Sequence, residues 1–233
     1  MRTRLIELGT PERAVGEKAY LKSSLEHVGV RVPEVRREVK AVLRSGLTHD
    51  QLFALADELW SRPVHEHRLA AAELLHGSPT LVTAADLPWI ERTLRDCRTW
   101  ALVDPLAGWV VAALAVREPL EVLPVLDRWV IDDDFWIRRS AVLSLRALLA
   151  QGHQIDRCFA YAERLLPDHE FFIRKVLGWV LRELAASHPH DVSAWLRAHM
   201  AEMNLVTLRE PLRRLPDAIE LRALYDERRN SPG

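Results

Sequence analysis

The sequence predicts an all-α protein, and three observations support this prediction. Apolar residues recur every three or four positions, as they do on the buried face of a helix. No run of residues alternates between apolar and polar as a half-buried β-strand does. Only 9 of the 233 residues are glycine, whereas Ala, Leu, Arg and Glu, which favour helices, are abundant. With 48% apolar and 28% charged residues, the composition is that of a soluble globular protein.

Nine segments carry the helical periodicity, and each is expected to form a helix. In residues 50–60, for example, Leu52, Leu55 and Leu59 fall on one side. The breaks between segments are short and contain Pro, Asp or Ser, which are typical of helix starts. The prolines expected in a first helical turn are Pro33, Pro63, Pro119 and Pro189. The nine segments are residues 34–44, 50–60, 67–76, 87–97, 120–131, 136–150, 158–166, 171–185 and 192–203.

Tryptophan spacing suggests how the helices are arranged. Trp100 and Trp136 are 36 positions apart, and Trp136 and Trp179 are 43 positions apart. These spacings lie near the period of HEAT-like helical repeats. We therefore expect one domain, residues 1–228, in which HEAT-like repeats form a curved α-solenoid, followed by a disordered tail at 229–233. An irregular helical bundle is the alternative that the pattern leaves open.

The charge is balanced overall but uneven along the chain. There are 32 Lys and Arg residues against 33 Asp and Glu, so the chain as a whole is not strongly basic. Residues 1–44 nevertheless hold ten basic residues against six acidic ones, and residues 135–182 hold eight against four. These two segments could place positive charge along a concave face of the solenoid. Alternatively, they are solvated helix surfaces, as most charge runs are.

Several classes of protein are disfavoured. The sequence has no run of 18 apolar residues and no apolar secretory segment near its start, so we expect no membrane association. Cys97 and Cys158 are too few for a disulfide framework and fit a reduced cytoplasm. The histidine motifs at 65–67 and 188–190 lack metal-site spacing, and no nucleotide-binding glycine loop is present. We expect a cytoplasmic monomer without metal or cofactor.

Three tryptophan-centred segments combine the side chains that a polyanion site with a reactive centre needs. Lys and Arg hold phosphates by charge-assisted hydrogen bonds. Indole faces attract cationic groups, and a carboxylate stabilises positive charge that develops on a nearby sugar. Trp100 and Asp104 are four apart and would share one helix face. The candidate site residues are Trp100, Asp104, Trp136, Arg139, Lys175, Trp179 and Arg182.

A structural interpretation exists for each of these residues. Tryptophan on a helix usually packs in the core. Asp104 followed by Pro105 is a common helix start, with the aspartate as N-cap. Arg139 could be an ordinary surface arginine. The spacing alone leaves these alternatives open.

Five separated segments resemble the AlkD-type DNA alkylation repair family, whose members are HEAT-like-repeat DNA glycosylases. The order and spacing of the segments match as well as their residues, and the resemblance covers nearly the whole chain. The segments are KAYLKSSLEHVGVRVPEVRREVK (18–40), ELWSRPVHEHRLAAAELL (58–75), TWALVDPLA (99–107), DDFWIRRSAVL (133–143) and EFFIRKVLGWVLREL (170–184).

The resemblance implies hydrolysis of the N-glycosidic bond of cationic alkylated purines, such as 3-methyladenine and 7-methylguanine, in double-stranded DNA. It implies that Asp104 is the essential carboxylate and that Trp100 and Trp179 contact the lesion. Arg139 would bind a phosphate, and Arg182 would be a further cation of a concave DNA-binding face.

The sequence departs from the family pattern around the carboxylate. Thr99 and Ala101 stand where aromatic and acidic residues are common, and Pro105 stands where a small polar residue is usual. Because proline disfavours the α conformation of the residue before it, Asp104 is expected to sit differently. A non-catalytic HEAT-like scaffold that binds DNA or protein is the alternative function, since fold does not fix function.

Overall fold

The computed structural model describes residues 1–230 and confirms the all-α class. Within these residues no β-strand forms, and the one isolated β-bridge joins Glu26 to Val64. The chain divides into two compact units, Met1–Val122 and the residues from Leu123 onward, where the sequence analysis expects one domain. The curved solenoid and its concave face stay predictions.

The first unit is built from short helices around one buried helix. Helix α5 has eleven buried residues among its twelve and packs against α3, α4 and α7. A π-helix at Leu106–Val111 joins α7 to α8, and a 3₁₀ turn at Ala84–Asp86 precedes α6. The helices are α1 (Arg2–Leu8), α2 (Pro11–Leu21), α3 (Val32–Leu43), α4 (His49–Trp60), α5 (His65–His76), α6 (Leu87–Arg95), α7 (Trp100–Pro105) and α8 (Ala112–Arg117).

The second unit is organised around α13, which packs against α10, α14 and α15. The helices that follow α8 are α9 (Pro119–Trp129), which contains the boundary between the units, α10 (Phe135–Ser144), α11 (Arg146–Leu149), α12 (Ile155–Leu165), α13 (Phe171–Leu184), α14 (Pro189–Ala198), α15 (Leu205–Leu208) and α16 (Ala218–Asn230). Gly178 lets α13 approach α15, because a Cβ there would lie 2.8 Å from the Thr207 carbonyl oxygen.

Most of the predicted helices form, with differences at their ends. The segment 136–150 is interrupted at Leu145, which separates α10 from α11. Pro63 lies outside α5, which begins two residues later with Val64 as its N-cap, so its assignment to a first helical turn is wrong. The last helix includes the first two residues of the expected tail, and residues 231–233 lie outside the described residues.

One stretch, Trp100–Arg117, is long and apolar enough to cross a membrane by length and composition. Because 61% of this window is buried inside the protein, it also fits the core helix of a soluble protein. The expected lack of membrane association stays a prediction.

Buried polar side chains of α5 tie other segments of the first unit to it. Glu66 accepts hydrogen bonds from the backbone N–H groups of Val28, Gly29 and Val30, at 3.0, 2.6 and 3.3 Å. Burial lowers the pKa of the His65 imidazole to about 4, and the unfavourable interaction with positive charge on His27, on which it stacks, lowers it further. The loop before α3 is therefore attached to the start of α5 in two ways. Its backbone N–H groups bond to the Glu66 carboxylate, and its His27 ring stacks on His65, with both imidazoles neutral.

Candidate functional site

Helix α7 carries the predicted carboxylate and its neighbouring indole. The helix begins at Trp100 because the Thr99 hydroxyl caps it by accepting a hydrogen bond from the Ala101 N–H, at 3.4 Å. Asp104 therefore lies inside the helix, four residues after Trp100 and on the same face. Both side chains are partly exposed. The interpretation of Asp104 as an N-cap is wrong.

Pro105 leaves Asp104 helical and changes the helix after it. Proline lacks the N–H that would bond to the Ala101 carbonyl, and its ring crowds that carbonyl. The chain responds with a π-helix at Leu106–Val111, whose wider turns continue into α8. Asp104 is therefore helical although proline follows it. The expectation that its carboxylate sits differently from the family pattern stays a prediction. Such π segments are frequent at functional sites.

Tyr20, which the sequence analysis did not single out, contacts the predicted site. Its ring meets Trp100 edge to face, with centroids 6.4 Å apart and an angle of 78° between the planes. Tyr20 is 76% exposed, at the end of α2, a helix with no buried residue. Lys18 and Lys22 flank it. The sequence signal that could have pointed to it is an aromatic residue between two lysines. We call Tyr20, Trp100 and Asp104 the α7 face.

In the second unit, Trp179 and Glu183 of α13 contact Arg146 of α11. The Arg146 guanidinium lies over the indole, 4.5 Å from the ring centroid. Glu183 accepts hydrogen bonds from the Trp179 Nε1–H at 2.8 Å and from the Arg146 Nε–H at 2.7 Å. Arg146 thus covers one face of the indole, and the residue as a whole is partly exposed.

Lys175 and Arg182 converge on one buried carboxylate. Glu210 is 8% exposed and accepts hydrogen bonds from Lys175 Nζ, at 3.3 Å, and from Arg182 Nη1. Arg213 adds a third cation, 3.4 Å away. Burial alone would raise the pKa of Glu210, but these positive charges bring it below its ordinary value. Glu210 is therefore ionised at neutral pH, and we call this group the Glu210 cluster.

Trp136 and Arg139 lie deeper than the sequence suggests. Arg139 is 4% exposed, and its Nη1 donates a 2.7 Å hydrogen bond to the Phe172 carbonyl oxygen. Trp136 is 9% exposed and packs against Phe135 and Phe172, with centroids 4.4 and 5.0 Å away. These contacts join α10 to α13. A DNA-binding role for both residues stays a prediction.

Comparison with solved structures finds several similar folds, including the two that follow. A protein described as a predicted DNA alkylation repair enzyme from Enterococcus faecalis shares 20% identity at a TM-score of 0.81, over 89% of this chain and 97% of that one. AlkD2 from Streptococcus mutans shares 16% identity at a TM-score of 0.59, over 94% of this chain and 98% of that one. At these identities the likeness concerns the fold.

No curated protein matches this chain. The family model described as DNA alkylation repair enzyme matches residues 1–215, which is most of the sequence. Membership supports a role in DNA repair and confirms the resemblance that the five sequence segments indicate. By this match the chain belongs to the DNA alkylation repair enzyme family.

Proposed function

We propose that this protein is a monofunctional DNA glycosylase that hydrolyses the N-glycosidic bond of cationic alkylated purines, such as 3-methyladenine and 7-methylguanine, in double-stranded DNA. The observation that carries the proposal is the α7 face: a partly exposed carboxylate on the same helix face as an indole, in a chain of the DNA alkylation repair family.

Asp104 acts on the sugar. Cleavage of the glycosidic bond leaves positive charge shared between the anomeric carbon and the ring oxygen, and a nearby carboxylate stabilises that charge. The alkylated base is already cationic, so it leaves as a neutral molecule and needs no general acid. Asp104 also orients the water that adds to the anomeric carbon. The products are the free base and an abasic site.

Trp100 and Tyr20 hold the lesion nucleotide next to Asp104. Their edge-to-face contact fixes the indole, so that its face packs on the deoxyribose and attracts the cationic centre. Both groups are accessible from solvent. In this proposal Trp100 and Tyr20 contact the deoxyribose from the protein surface, and the base does not have to enter a deep protein pocket.

The second unit supplies DNA-backbone contacts in this proposal. Lys175 and Arg182 keep 43% and 30% of their side-chain surface exposed, so each can reach a phosphate beside the Glu210 cluster. Trp179, which is partly exposed, would contact the duplex beside them. Arg139, held by the Phe172 carbonyl, would act as a fixed cation.

The test is base release. Methylated and unmethylated duplex DNA are incubated with the protein, and free 3-methyladenine, free 7-methylguanine and abasic sites are measured. We expect release from methylated DNA only, with one abasic site per base released. DNA binding without any release would refute the glycosylase and leave the non-catalytic scaffold. Asp156→Asn, which changes an exposed aspartate in the second unit, is the matched control for Asp104→Asn. We expect it to release base at the rate of the parent.

A further inference from the structure

Three potential metal ligands from separate segments of the first unit lie together beside the start of α5. They are Glu17 on α2, His27 in the loop that follows α2, and Glu66 on α5. One ligand atom from each residue lies within 4.8 Å of the other two. The cluster lies outside the α7 face and has no part in the proposed reaction.

Two of the three ligands are held in place by the protein. The Glu66 carboxylate accepts three backbone N–H groups, two on Oε1 and one on Oε2. A carboxylate has about four acceptor positions, so one lone pair of Oε2 remains for another partner. Hydrogen bonds of this kind orient the ligating carboxylates of metal sites.

His27 is fixed by its neighbours. The residue before it, Glu26, forms backbone hydrogen bonds with Pro63 and His65, each of 2.8 Å. The His27 ring stacks on His65, with centroids 4.7 Å apart and planes within 10°. The imidazole is therefore held at one position and in one orientation before any ligand binds.

Both His27 ring nitrogens are among the buried polar atoms that lack a hydrogen-bond partner within residues 1–230. A buried polar group without a partner destabilises the folded state. A neutral imidazole offers one lone pair, which is the group that binds a transition metal. A metal ion next to Glu66 would satisfy that nitrogen.

We propose that Glu17, His27 and Glu66 bind one Zn²⁺ ion, with a water molecule as the fourth ligand. One imidazole and two carboxylates suit zinc, which takes nitrogen and oxygen ligands in four-coordinate sites. The two carboxylates carry negative charge toward the ion, although Glu17 also pairs with Arg13. Ligand atoms about 2 Å from one ion are at most about 4 Å apart. The long Glu17 side chain can close the remaining gap while Arg13, its hydrogen-bond partner, orients it.

The ion would fasten α2 to the rest of its unit. Helix α2 has no buried residue, so packing alone holds it weakly. Glu17 lies on this helix three residues before Tyr20, the residue that contacts Trp100. Zinc at the cluster would therefore keep Tyr20 in place at the α7 face without touching the substrate.

The test uses chelator-stripped full-length protein titrated with Zn²⁺ alone, followed by calorimetry, and with Co²⁺, followed by its visible absorption. Glu17→Gln and His27→Gln each remove one ligand. Their matched controls are Glu12→Gln on the same helix and His153→Gln in the second unit, both at exposed positions. Circular dichroism checks that each variant is folded.

We expect the parent to bind one Zn²⁺ per chain and the two ligand variants to bind roughly 10- to 100-fold more weakly, with both controls unchanged. If His27→Gln does not fold, the zinc affinity of Glu17→Gln alone tests the proposal. Glu17 is partly exposed on a helix that has no buried residue, so we expect this variant to fold. The proposal is overturned if the parent takes up no zinc, or if the ligand variants bind it as tightly as the controls.

Discussion

Glu210→Gln should lower the stability of the protein and raise its affinity for DNA. The substitution keeps the shape of the side chain and removes the negative charge shared by Lys175, Arg182 and Arg213. In the DNA contacts proposed above, that charge would compete with DNA phosphates for the same cations. Once it is gone, Lys175 and Arg182 are available to the DNA backbone.

The size of the stability loss follows from exposure. Removing one partner of a fully buried ion pair costs about 3–5 kcal/mol, whereas exposed pairs contribute about 0–1 kcal/mol. Glu210 is 8% exposed, but the Lys175 and Arg182 side chains are 43% and 30% exposed. We therefore expect the free energy of unfolding to fall by about 1–2 kcal/mol, an intermediate value.

Two assays measure the opposing effects. Urea denaturation gives the free energy of unfolding. Fluorescence anisotropy with a labelled duplex, repeated over a range of salt concentrations, gives the affinity and its salt dependence. The slope of log affinity against log salt becomes steeper by about 0.9 for each additional contact between a protein cation and a DNA phosphate. The control Glu202→Gln removes one negative charge from an exposed position of the same unit.

Weaker DNA binding and a shallower salt slope in Glu210→Gln would refute this reasoning. That outcome would mean that Glu210 holds the cations in their binding positions, or that they do not contact DNA. Equal changes in both variants would point to a general effect of net charge.

Three further predictions concern packing, the α7 face and the thiols. Gly178→Ala should lower the free energy of unfolding by about 1–3 kcal/mol in urea denaturation, because its Cβ would clash with the Thr207 carbonyl; unchanged stability would contradict this packing. Tyr20→Ala should slow base release roughly 10-fold without changing stability, whereas Tyr20→Phe should keep the rate of the parent. Equal rates for the parent and both variants would show that Tyr20 is not part of the site. Burial raises the pKa of the Cys158 thiol to about 12. The native protein should therefore not react with a thiol reagent at neutral pH, and rapid labelling of Cys158 would disprove its burial.

The sequence predicted the helices whose apolar stripes are long and regular. The segments at 50–60 and 171–185 correspond closely to α4 and α13. It did not predict α2, which has no buried residue and therefore no apolar stripe. The π-helix after Pro105 was also missed, because its wider turn depends on how the surrounding core accommodates the proline.

The candidate site was predictable where it depends on local spacing. Trp100 and Asp104 share a helix face because they are four residues apart on one helix. Tyr20 is eighty positions from Trp100, so only the fold could bring them together. The burial of Arg139 depends on the packing of α10 against α13, which its own helix does not reveal.

The cluster of Glu17, His27 and Glu66 could not be predicted from the sequence for the same reason. The sequence analysis expected no metal site because the paired histidines at 65–67 lack ligand spacing. In the structure the cluster draws one residue from each of three separate segments, and only His27 among its members is a histidine.

The most direct test of the account is the single-turnover rate of 7-methylguanine release by Asp104→Asn compared with the parent. Asparagine keeps the size of the side chain and removes the charge that stabilises the sugar cation. We predict that the rate falls by roughly 100-fold or more while the dissociation constant for DNA stays close to that of the parent. Equal rates for the two proteins would contradict the central claim, since the carboxylate on α7 would then have no part in breaking the bond.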